Sequence, residues 1–131
     1  MPKRQNLYMN ADWGKLQELA VLEIEVTLAA LPKPLRGQAR KLPVTLERAP
    51  NAGLQADWIE PDTLGLFTGA EFADAGDSIL PPQITLFLEN IWDFSGGDEK
   101  IFREEIRTTF LHELGHFFGL NEDDLTARGL D

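Results

Sequence analysis

The chain has 131 residues, 43% of them hydrophobic, with eight Phe and three Trp, the composition of one globular domain and not of a disordered segment. It has no Cys, which excludes disulfide staples and thiolate zinc sites, and its uncharged runs are broken by Pro or Gly before they could span a bilayer. The net charge of −10 is uneven: residues 1–50 carry eight Lys/Arg against five Asp/Glu, and residues 51–131 carry four against seventeen, a poor balance for holding nucleic acid.

The first residues include Lys3 and Arg4 but no continuous apolar run after them, so no secretory signal is expected and a cytoplasmic location is. Residues 13–31 run without Pro and without Gly after Gly14. Within them Leu16, Ala20, Ile24, Leu28 and Leu31 recur at helical spacing. Asp12 is placed to cap this helix, "LPKP" is expected to stop it, and its many apolar positions suggest that most of it is buried. The basic section 33–48 reads as an internal complement to the acidic half, or as a solvated surface.

Residues 42–48, "LPVTLER", read as a strand, with a turn at 51–53. Residues 63–69, "TLGLFTG", read as a short second strand or extended turn. Residues 83–92, "QITLFLENIW", are β-rich and follow a proline pair that forbids helix, so they read as a third strand. That strand could lie at an edge open to a peptide, or in the centre, paired on both sides. Ser95 or Asp98 then caps a final helix from about 98 to 118, on which Ile101, Phe102, Ile106, Phe110, Leu114 and Phe117 form the apolar positions. Gly119 stands where that helix should stop. Strands grouped between two helices predict a single α+β domain over 1–131.

Both histidines of the chain lie on the final helix, in "HELGH". His112 and His116 are i and i+4, so they leave one helical face and can reach one tetrahedral metal at roughly 2.0–2.1 Å. Glu113 is about 100° round the helix, near enough to touch a metal-bound water without ligating the metal. This is the arrangement of zinc hydrolases: Zn2+ brings its water to a pKa of about 7, and the glutamate takes the proton as that water attacks a carbonyl. Six residues after His116, where longer forms of the motif place a third histidine, stands Glu122. It is the first choice for the third ligand, with Asp123 and Asp124 as alternatives.

On "HELGHFFGLNEDDL", "LPPQITLFLENIW" and "LGLFTG", the chain resembles the small bacterial zincin-like, or minimal, metallopeptidases. His112, Glu113, His116, Gly119 and Glu122 match the family's H-E-x-x-H-x-x-G-x-x-acid pattern position by position. The resemblance implies a zinc-dependent peptidase that acts on peptides or flexible protein segments. It also implies a minimal zincin-like domain, with the site helix packed against a small sheet. A zincin-fold interaction module with little turnover is the alternative. No Met follows Met9, so a metzincin Met-turn is not expected. Phe67, in "GLFTG", stands where relatives often carry Tyr, and it offers no hydroxyl to an oxyanion.

Overall fold

The computed structural model describes residues 12–69 and 81–120, together with 123 and 127. The elements, in chain order, are α1 (Trp13–Ala29), α2 (Lys33–Ala39), β1 (Val44–Glu47), α3 (Ala52–Ala56), β2 (Gly65–Thr68), β3 (Gln83–Phe87), α4 (Leu88–Phe94) and α5 (Glu99–Phe117). The α+β class and the helix–sheet–helix order agree with the sequence reading.

Helix α1 begins where expected. The Asp12 carboxylate accepts from the Lys15 N–H at 3.2 Å, satisfying one of the free donors of the first turn. Leu16, Leu19, Ala20 and Ile24 are buried, but Val21, Leu22 and Val26 are 55%, 65% and 61% exposed, so only one face of α1 is covered. That corrects the expectation of a mostly buried helix. The "LPKP" stop is also the start of α2: Pro32 occupies the cap and Pro34 lies in the first turn. Proline is tolerated there because that turn's N–H groups have no helical partner.

The sheet has the order β1-β3-β2, with β1 parallel and β2 antiparallel to β3. The third strand is therefore central and paired on both sides. Its length is also corrected, because it ends at Phe87 and the chain continues directly as α4. Leu88 and Ile91 are fully buried one helical turn apart, and the Ser95 hydroxyl donates to the Ile91 carbonyl at 2.7 Å. A short apolar run does not distinguish a buried strand from a buried helix, and here it is both in succession.

Helix α5 starts at the expected cap, the Asp98 carboxylate accepting from the Ile101 N–H at 3.0 Å. Phe102, Ile106, Phe110 and Leu114 are all but inaccessible to water and form one core with Leu16, Ala20 and Ile24 of α1 and with Ile84 and Leu86 of β3. Ile101, in contrast, is exposed. The basic section is partly paired, and of its ion pairs among the described residues one reaches the acidic half. Arg40 meets Glu25 at 2.8 Å, and Arg48 meets Glu89 at 2.6 Å while lying 4.7 Å above the Trp13 ring. No helix among the described residues is long and apolar enough to cross a membrane.

Candidate metal centre

Helix α5 projects His112 and His116 from consecutive turns, with their Nε2 atoms 3.1 Å apart and their rings edge to face. Two nitrogens bound at 2.0–2.1 Å to one tetrahedral ion stand roughly 3.3 Å apart, so the pair is nearly set for such an ion. One carboxylate oxygen of Glu113 completes a group whose possible ligand atoms all lie within 4.8 Å of one another. His112 and Glu113 are half-buried and His116 is exposed, which leaves the group open to solvent on one side. Two converging imidazoles are donors that suit zinc, and Glu113 stands beside them where it could reach a metal-bound water.

The buried side of α5 explains why the group faces outward at this place. Phe110, Leu114 and Phe117 turn into the core, so the positions between them must emerge beside the sheet. They emerge against β2. Phe67 sets its ring against Phe117, tilted at 57° with centroids 5.8 Å apart, and its backbone N–H donates to the Glu113 carboxylate. Burial pushes the Glu113 carboxyl above its ordinary range; the two histidines and the Phe67 N–H act in the opposite direction and only partly offset it.

The helix ends at Phe117 with Phe118 as its cap, and Gly119 takes φ +71°. The Gly119 N–H returns to the His116 carbonyl and the Leu120 N–H to the Gly115 carbonyl, at 3.0 and 2.9 Å. This double return is a Schellman turn, which favours glycine because its middle residue is left-handed. Glu122 and Asp124, two of the three third-ligand candidates, lie outside the described residues. Asp123 is exposed and is not part of the group formed by His112, Glu113 and His116.

Arg103 and Arg107, i and i+4 on α5, are spaced to pair with Glu99, Glu104 or the acids of the tail, of which Glu122 and Asp124 lie outside the described residues. Both arginines are exposed, and neither makes an ion pair with Glu99 or Glu104. Arg103 lies nine residues before His112, which is half a turn out of phase, on the far side of α5. Trp92 is half-buried, edge-on to Phe102 at 5.5 Å, whereas Trp58 is 92% exposed.

Three neighbours of Glu113 were not read from the sequence: Gly65, which packs closely on Thr109 and Glu113, Thr109 itself, and the backbone of Phe67. A glycine inside a β-rich stretch is a signal of close approach by another segment, and Gly65 carried it. A backbone donor has no signal in sequence at all.

Residues 39–130 match the zincin-like metallopeptidase family. Comparison with curated proteins gives no match. The family match begins at the end of α2 and runs through the whole sheet and the histidine-bearing helix, far beyond five motif residues that chance alone could assemble. The chain belongs to the zincin-like metallopeptidase family.

Proposed function

We propose that this chain is a zinc-dependent endopeptidase acting on extended, flexible peptide segments. His112 and His116 hold the metal, Glu122 is the intended third ligand, and Glu113 is the general base. The observation that carries the reading is the grouping of Glu113 with both imidazoles while a strand donor fixes its carboxylate.

Zinc, when bound, supplies a Lewis acid that lowers the pKa of water to about 7 and polarises a carbonyl. The protein's own part is proton handling and orientation. Glu113 takes the proton of the attacking water on a carboxylate oxygen and then gives it to the departing amide nitrogen. A carboxyl raised by burial suits both halves of that task, because it binds the proton more readily than an exposed one and still releases it.

Strand β2 offers the place for the peptide. The Phe87 N–H donates to the Leu64 carbonyl, so positions 64, 66 and 68 face β3; of the outward backbone groups at Gly65 and Phe67, the Phe67 N–H is taken by Glu113 and the others line the edge. An extended segment added along this edge would pass beside Glu113 and the histidines. The edge suited to a peptide is thus β2, not the central third strand.

The test is elemental analysis of chelator-free protein, followed by a peptide-library digest. About one zinc per chain is expected, and it should be lost in His112→Ala. Glu113→Gln should keep the zinc and lower hydrolysis by about 10²–10⁴-fold. Cleavage undiminished in Glu113→Gln would refute the assignment of the base. Zinc binding without cleavage of any library peptide would make the chain an interaction module that retains the fold.

A further inference from the structure

We propose that Gly65 and Thr109 form a positioning contact that sets the distance between strand β2 and helix α5, and so keeps the Phe67 N–H on the Glu113 carboxylate. The proposal rests on Glu113 acting as the general base, and it gives Thr109 and the bare Cα of Gly65 a spacing role distinct from the backbone groups that the β2 edge offers to a peptide.

The geometry points to space, not backbone freedom, as the reason for Gly65. Among the described residues, the glycines with left-handed backbones are Gly69, Gly96, Gly97 and Gly119, and Gly65 is not one of them. Any residue could adopt its backbone. A Cβ at Gly65, however, would stand 2.6 Å from the Thr109 Cγ2 methyl, and 3.3 Å from both the Glu113 Cγ and the Leu86 Cδ2. The first distance is a clash, and the other two are tight contacts that a small shift relieves.

The same two segments touch at further points along one line. Thr109, Glu113 and Phe117 are at i, i+4 and i+8, a stripe down the side of α5 that faces β2. Gly65 meets Thr109 and Glu113, while Phe67 meets Glu113 through its N–H and Phe117 through its ring. Moving β2 outward at Gly65 therefore draws the Phe67 N–H away from the carboxylate. Both residues are poor local choices for their elements: glycine weakens a strand and a β-branched residue weakens a helix. Poor local choices that meet in one contact beside a reactive group mark a position selected for the contact.

Thr109→Ser removes the clashing methyl and keeps the hydroxyl, which provides a rescue. Four proteins are compared: wild type, Gly65→Ala, Thr109→Ser, and the double variant. Amide exchange of Phe67 is read on metal-free protein, and zinc content and peptide turnover on zinc-loaded protein. Gly65→Ala should exchange the Phe67 amide about tenfold faster. It should keep its zinc, because both histidines stay on α5, and lose about 10–100-fold in kcat from misplacement of the base. Thr109→Ser alone should resemble wild type, and the double variant should recover both exchange and kcat. A Phe67 amide unaffected by Gly65→Ala, or a double variant that fails to recover, overturns the proposal. The exchange readout needs no turnover, so it decides the contact even if the peptidase reading fails on its own test.

Discussion

Glu113 carries opposing demands in one side chain. Its carboxylate accepts from a strand N–H and stands beside two imidazoles, yet it is sunk far enough between α5 and β2 that burial governs its proton affinity. A carboxyl whose folded pKa is raised above 4.5 binds more protons in the native state than in the unfolded one. The stability it contributes is then complete below the unfolded pKa and is lost as pH rises through the folded value. In metal-free protein, Glu113→Gln removes the buried charge and leaves an amide oxygen to accept the Phe67 N–H. The variant should therefore melt above wild type at neutral pH, with the difference shrinking as the pH falls towards 4. Thermal melts across that range would check this, and a difference independent of pH would show that burial does not control this group.

Among the elements, the short helices show what pattern reading could and could not recover. Helix α5 was legible because its caps and core face agreed: Asp98 at one end, Gly119 at the other, and Phe102, Ile106, Phe110 and Leu114 between. Helices α2, α3 and α4 were not legible, for local reasons. Pro34 hid α2 because a proline reads as a stop even where a first turn accepts it. Leu88 and Ile91 continued the apolar run of β3, which hid α4. Residues 51–53 read as a turn because Asn51 and Gly53 favour one, yet the Asn51 side chain accepts from the Leu54 N–H at 2.9 Å and caps α3. That helix then ends in a Schellman turn, with Trp58 donating to Gln55 and Ile59 to Leu54. Its left-handed position, φ +71°, holds Trp58 where glycine is usual, and the indole is 92% exposed. An L-residue costs about 1–2 kcal/mol there, and glycine returns part of that in chain entropy. Trp58→Gly should therefore raise the denaturant midpoint, by about 0.5–1 kcal/mol of stability with an unchanged m-value. A fall would mean that the ring makes a contact worth more than the strain.

For the molecule as a whole, the question is whether the metal completes the fold or is added to it. The core joining α1, α5 and β3 is built from Leu16, Ala20, Ile24, Ile84, Leu86, Phe102, Ile106, Phe110 and Leu114, and none of these depends on His112 or His116 for its burial. His112 is half-buried and His116 exposed, and neither belongs to that core. Metal-free chain should therefore remain folded, unlike small domains whose core forms only around zinc. Zinc then acts by mass action on a native state that already exists. At 100 times its Kd it adds about 2.7 kcal/mol, which for a domain of this size moves Tm by on the order of 10 °C. The shift should track free zinc logarithmically and be absent from His112→Ala, whose melting without metal should stay near that of wild type because position 112 is only half-buried. Circular dichroism and melting curves with and without chelator separate the cases. Collapse of the helical signal on chelation would place the metal within the folding of the domain. An equal zinc shift in His112→Ala would place the ion somewhere other than on α5.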